Sequence, residues 1–191
     1  MLIIDDGMDA ATLKSISGFS ADNRITVIPS RGSGLVDALN TGLKASTTKY
    51  IARIDADDRM LALRLEEQRN FLIGCSDAVT VGSQCYFIDS HGVRTGISSY
   101  PVGLLNKNRK FFSECRIAHP SAMYLREAVI TAGGYRSVFK FNGTDIAEDF
   151  DLWLRLAKIG NLYNLSKCYV EYRQHADQIS SKLNAGQILG T

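Results

Sequence analysis

The sequence predicts an α/β domain with a mainly parallel sheet and flanking helices, and three observations carry that expectation. Short aliphatic or β-branched runs alternate with stretches of helical spacing over the first half of the chain. Acidic residues gather where those runs stop, at the carboxyl ends of the expected strands, which is where parallel sheets collect ligands. With 191 residues, 45% hydrophobic and 22% charged, the chain has an ordinary globular mixture and enough length for one sizeable core.

Taken in order, "MLIIDDG" passes from aliphatic to acidic to glycine, as a buried strand does on reaching a loop. "ATLKSISGFS" has helical spacing and "RITVIPS" is a second β-branched run. "GLVDALNTGLKAS" then sets Leu35, Leu39 and Leu43 at steps of four, as a helix requires. "YIARID" is the third strand, and "RLEEQRNFLIG" is a helix with Leu65, Gln68, Phe71 and Leu72 along one face. "AVTVGS" and "CYFIDSHG" restore strand character. From about residue 100 the pattern is irregular, and "GGY" at 133–135 marks a turn. "AEDFDLWLRLAKIG" is a helix that buries Phe150, Trp153, Leu154 and Ala157, begins with an acidic turn and stops at Gly160. No repeat, low-complexity tract or linker interrupts the chain, so residues 1–191 are expected to form a single domain.

Composition excludes several classes. A net charge of +2 from scattered Lys and Arg is no nucleic-acid footprint. Cys75, Cys85, Cys115 and Cys168 form no CxxC pair and sit among apolar neighbours, which predicts buried free thiols and a reducing cytoplasm. The sequence has neither an apolar run of the roughly 18 residues a membrane span needs nor an export signal, so a soluble, unexported chain is expected. The absence of GxxxxGK[ST], of GxGxxG after a strand, of GxSxG and of HExxH removes the usual support for kinase, dinucleotide, serine-hydrolase and zincin readings.

The stretch "ARIDADDR" raises the first chemical question, because Asp55, Asp57 and Asp58 repel one another at the end of an apolar run. On an extended segment Asp55 and Asp57 point the same way, and Asp58 can fold inward where the strand ends. Such a cluster suits Mg²⁺ or Mn²⁺, whose shell is completed by water and phosphate oxygens. A solvated turn or a set of helix caps competes with that reading. Glu148, Asp149 and Asp151 pose the same contest: they complement a helix dipole, or Asp149, anchored from behind by Trp153, is aimed as a general base. In the tail, "YVEYRQHADQISS" gathers Tyr172, Arg173, His175 and Gln178, a cation and an imidazole suited to phosphate or metal. A lone histidine, such as His175 or the His119 of "IAHPSAMY", is more commonly a surface residue.

Together "LIIDDG", "GLVDALNTGL", "YIARIDADDRMLALRLEEQ", "AHPSAMY", "GGYR", "AEDFDLWLRL" and "YRQHADQIS" resemble, in order, the family-2 glycosyltransferases of the GT-A fold over residues 2 to 181. The resemblance implies a Rossmann-like sheet, with about 1–99 binding the nucleotide sugar and about 100–191 forming the acceptor side. It implies transfer, with inversion, of a sugar from a UDP- or dTDP-sugar to a saccharide or lipid-linked saccharide, in bacterial surface-polysaccharide synthesis. Residue by residue, Asp6 would touch the base, Asp55 would lie toward ribose, Asp57 would hold Mn²⁺ or Mg²⁺, and Asp149 would be the catalytic base. Arg173 and His175 would face the diphosphate or the metal. The setting would be cytoplasmic, with peripheral attachment to the inner membrane face and oligomeric state left open. A glycoside hydrolase would explain two carboxylates but not the DxD cluster, and a nucleotidyltransferase lacks its glycine- and lysine-rich loop.

Two departures touch donor binding: Met8 stands where the family usually has serine, and Leu39 where it often has arginine. A larger one is the family's first strand and helix, which would precede Leu2 and place a strand between those of "LIID" and "YIARID". The chain is thus expected to be N-terminally truncated, with a gap in its sheet, or those two strands closed up, or the space filled by another segment. An alternative follows, a catalytically silent glycosyltransferase-like binding or assembly protein.

Overall fold

The computed structural model describes residues 1–19, 21–141 and 144–175, so Gln178 lies outside the described residues. The chain runs β1 (Leu2–Asp5), α1 (Ala10–Ser17), β2 (Thr26–Pro29), α2 (Leu35–Ala45), β3 (Tyr50–Ala52), β4 (Arg59–Met60), α3 (Arg64–Gly74) and β5 (Ala78–Ile88). It continues with β6 (Arg94–Ile97), β7 (Gly103–Leu104), a 3-10 turn at Arg109–Phe112, another at His119–Ser121, and β8 (Met123–Leu125). The last elements are α4 (Arg126–Thr131), β9 (Phe139–Phe141), β10 (Thr144–Ile146), α5 (Glu148–Leu156) and β11 (Asn161–Arg173).

The α/β architecture is as expected, but the pairing is mixed rather than mainly parallel. In the main sheet the order is β3-β8-β5-β11-β4, with β6 on β5 and β7 on β11. Only β5 and β11 pair in parallel there, from Asn161 opposite Ala78 to Arg173 opposite Ile88. β8 comes from the irregular second half and inserts antiparallel between β3 and β5, which makes the sheet mixed. β1 and β2 stand apart as a two-stranded parallel sheet. The strands of "LIID" and "YIARID" have therefore not closed up on each other.

Apolar burial joins these layers. Leu152, Trp153 and Leu156 of α5 are fully buried against Ile117, Val129, Leu162 and Leu43 of α2, each large side chain contributing about 1.5–3 kcal/mol. The fully buried face of α5 is therefore Glu148, Leu152, Trp153 and Leu156; of the expected set Trp153 is in it, Leu154 and Ala157 pack partly buried against the same core, and Phe150 is only partly buried. Likewise α3 buries Arg64, Gln68 and Leu72 while Leu65 is exposed. In α3 the polar Arg64 and Gln68 take core positions because buried acceptors meet most of their donors. All four cysteines are free, but only Cys85 is buried and Cys115 is exposed. Among the described residues no helix is long and apolar enough to cross a membrane.

Candidate active site

The DxD segment follows β3 directly, and three contacts shape it. The carboxylate of Asp55 is held by the Arg53 guanidinium in a two-pronged pair, with one contact at 2.6 Å and the Arg53 side chain only 9% exposed. Two residues further on, Asp57 Oδ2 lies 3.2 Å from His175 Nε2, both side chains partly open to solvent. Asp58 turns inward as expected: its Oδ1 accepts from the Arg173 N–H at 2.8 Å, while Oδ2 is buried without a hydrogen-bond partner. Burial pushes the Asp58 carboxyl up to about 7; the Arg173 N–H works against this, and the charges of Asp55 and Asp57 add to it.

Residues so far apart in sequence meet because β11 pairs with β4, setting Val170 opposite Met60 and Glu171 opposite Arg59, so its end passes over the DxD turn. The guanidinium of Arg173 then donates to the carbonyls of Asp57 (2.8 Å), Asp89 (2.7 Å) and Ser90 (3.1 Å). Arg173 thereby braces the loop that carries Asp57. From below, the buried Arg64 donates to the carbonyls of Arg53 (2.7 Å) and Ala122 (3.2 Å) and to Gln68 Oε1 (3.0 Å). This ties the end of β3 to the start of β8. Asp6 lies in the bend just after β1 of the separate sheet, where its carboxylate accepts from the Gly34 N–H at 3.1 Å, at the positive end of the α2 dipole.

Asp149 sits in the first turn of α5, half-buried, with Oδ1 accepting from the Phe150 N–H at 2.7 Å and Oδ2 3.4 Å from Cys115 Sγ. Burial raises its carboxyl above the usual range; His119 opposes this and Glu148 reinforces it. A carboxyl raised in this way holds a proton more readily than an ordinary aspartate. Its neighbour Glu148 points inward, 7% exposed, with Oε1 3.5 Å from His119 Nδ1. His119 is no surface residue: it is 7% exposed, edge-on to Trp153 at 5.8 Å, with Nε2 2.9 Å from the Tyr135 hydroxyl. Burial drops the imidazole to about 3, so it is neutral.

Sequence reasoning overlooked Arg53, Arg64, Cys115 and Tyr135. Arg53 had a signal, a charge inside the apolar run "YIARID", and Arg64 and Gln68 share a helix face at a spacing of four. Cys115 and Tyr135 had none, since only the packing of the second half brings them to Asp149 and His119.

Comparisons with known proteins bear on the family and the fold. The model of the family described as "Glycosyl transferase family 2" matches residues 1–133. The "O-antigen biosynthesis glycosyltransferase WbnJ" of Escherichia coli is 32% identical over 182 residues, 92% of this chain and 68% of that one. The "Amylovoran biosynthesis glycosyltransferase AmsE" of Erwinia amylovora is 26% identical, with 95% and 67% covered. Among solved structures, S. aureus TarS 1-349 in complex with UDP-GlcNAc superposes with a TM-score of 0.69 at 15% identity, over 96% of this chain and 52% of that one. The fold is shared at that level of identity. The chain spans about two thirds of those two curated relatives and about half of the solved one.

Proposed function

Because the chain belongs to glycosyl transferase family 2, we propose that it moves a sugar from a nucleotide-diphosphate donor to an acceptor hydroxyl, with inversion, in bacterial surface-polysaccharide synthesis. The observation that carries this reading is the meeting of Asp57 with His175, on a loop braced by Arg173, from opposite ends of the chain. The UDP-GlcNAc bound to TarS supports a UDP- or dTDP-sugar as donor. On this reading the acceptor is a saccharide or lipid-linked saccharide met at the cytoplasmic face of the membrane; the relatives named for O-antigen and amylovoran biosynthesis support the polysaccharide setting.

Among the described residues no group of three or more His, Cys, Asp or Glu forms a metal cage. Asp57 and His175 would supply two ligands, which fits Mn²⁺ or Mg²⁺ sharing its shell with water and donor phosphates, and the imidazole favours Mn²⁺. Once bound, such an ion neutralises charge developing on the leaving diphosphate. Asp55, already paired with Arg53, faces the ribose, and Asp6 the base. Asp149 takes the proton of the acceptor hydroxyl as its oxygen bonds to the anomeric carbon and the bond from that carbon to the diphosphate breaks. A single displacement of this kind inverts the centre.

The test is to incubate the purified chain with UDP- and dTDP-sugars and a lipid-linked saccharide, with Mn²⁺, Mg²⁺ or a chelator. Nucleoside diphosphate release coupled to inverted product, abolished by chelation, is expected. The separate sheet that carries Asp6 favours a second reading, a silent binding protein. UDP binding by calorimetry without turnover would establish that reading and end the first.

A further inference from the structure

Residues 101–116, which include β7 and the 3-10 turn at Arg109–Phe112, form a surface loop whose ends are closed by one buried amide: Asn164 Nδ2 donates to the carbonyls of Pro101 (3.0 Å) and Arg116 (2.7 Å). Asn106 fastens the middle of the loop to the turn after α5, donating to the Gly160 carbonyl at 3.1 Å and accepting from the Leu162 N–H at 3.2 Å. Leu105 and Phe111 pass into the core. What the loop turns outward is basic and aromatic: Lys107, Arg109, Lys110 and Phe112 are all exposed, Phe112 by 56%. In a 3-10 turn residues three apart eclipse, so Arg109 and Phe112 share a face. Beside Asn106, the turn after α5 adds the exposed Lys158 and Ile159.

These charges are uncompensated. Among the described residues no ion pair involves Lys107, Arg109, Lys110 or Lys158, whereas Arg116, Arg136 and Arg155 each hold a carboxylate. Glu114, the one acidic residue of the loop, is the partner of Arg116. Cations set around exposed apolar groups match an anionic bilayer, which attracts the charges and admits the ring and the aliphatic stems at headgroup depth. A soluble polyanion would match the charges but leave Phe112 and Ile159 in water. We propose that this loop is a docking surface for an anionic membrane. The inference rests, for its purpose, on the proposed lipid-linked acceptor. Cys115 follows Phe112 by at most about 10 Å of chain, and its Sγ lies 3.4 Å from Asp149 Oδ2, so a docked loop sets Asp149 at the bilayer surface.

The test is flotation of the purified chain with liposomes of phosphatidylcholine alone and of phosphatidylcholine with about one third phosphatidylglycerol. Expected is binding to the anionic liposomes only, lost as salt is raised. Combining Lys107→Gln, Arg109→Gln and Lys110→Gln should weaken that binding at least tenfold, since each cation near such a surface is worth about fivefold in partition. All three side chains are exposed, so circular dichroism should show the fold unchanged. Phe112→Trp gives a second readout. Trp153, the chain's one tryptophan, is fully buried, so a blue shift of emission with anionic liposomes that the parent lacks reports position 112 at headgroup depth. Binding is read without turnover, so the two proposals fail separately. Sugar transfer to a water-soluble acceptor by a chain that ignores liposomes would overturn this one alone; liposome binding by a chain that transfers no sugar would overturn the transferase alone. Equal binding by the triple variant and the parent, or equal binding to uncharged liposomes, would also overturn it. An unshifted emission would assign the cations to a soluble polyanion and do the same.

Discussion

Two acidic clusters dominate the molecule, and they differ in what surrounds them. Asp55 and Asp57 stand on a partly solvated loop against Arg53 and His175, with the loop itself clamped by Arg173 and Arg64. Glu148 and Asp149 stand against Cys115, His119 and Trp153. Compensated charge suits a carboxylate that must remain an anion beside a metal and phosphates; desolvation suits one that must accept a proton. The contrast teaches that one residue type is given two environments in this fold because burial and counter-charge are distributed unequally.

The sharpest way to break the comparison is to neutralise one member of each cluster. Asp149→Asn should lower kcat about a thousandfold, within the usual worth of a general base, and leave donor affinity nearly unchanged. Asp57→Asn should do the reverse, weakening Mn²⁺-dependent donor binding by about 10–100-fold, the scale of a lost metal-site contact. Steady-state kinetics and calorimetry would read the two apart, and matching effects on both parameters would erase the distinction.

Next in size is the pH dependence of stability. Burial depresses the folded-state value of His119 to about 3 from its ordinary 6.5, so below 6.5 the unfolded chain binds the proton first. Its contribution is complete above 6.5 and declines as pH falls toward 3, by at most about 1.4 kcal/mol per pH unit. Asp58, raised from 3.8 to about 7, works with the opposite sign: its contribution is complete below 3.8 and is lost as pH rises through about 7. Asp149, also raised, shares that sign. Replacing both with Asn should therefore steepen the loss of stability on acidification from pH 6.5 to 4.5, measured by urea unfolding. An unchanged slope would show that burial does not raise the carboxyls of Asp58 and Asp149.

The smallest expected effect concerns the strained N-cap of α5, Ala147, in the left-handed region at φ 57. Ala147→Gly should stabilise the fold by up to about 1 kcal/mol, since glycine adopts φ 57 without steric cost. A loss of stability would mean that Ala147 contributes packing that outweighs its strain.

Much of this was legible from the chain alone where the signal is local. Helix α3 was delimited residue for residue by "RLEEQRNFLIG", and the DxD segment by the end of "YIARID". The thirteen-residue strand β11 and the short β8 were not, because one breaks its ladder with register shifts and the other is three residues long, too brief for a period. The inward faces of α3 and α5 were misjudged in part for a related reason: hydrophobic periodicity ranks Leu65 above Arg64 and Phe150 above Glu148, and only tertiary contacts reverse that order.

What the sequence determined by itself is the set of carboxylates and the elements that carry them, since Asp6, Asp55, Asp57 and Asp149 all sit where a local pattern ends. The tertiary structure alone decided their partners: Arg53 on Asp55, His175 on Asp57, Cys115 and the His119–Tyr135 contact at α5. The physical reason is range. Turn and periodicity signals act over a few residues, whereas desolvation and charge pairing depend on groups that only the closed sheet brings together, up to 118 positions apart.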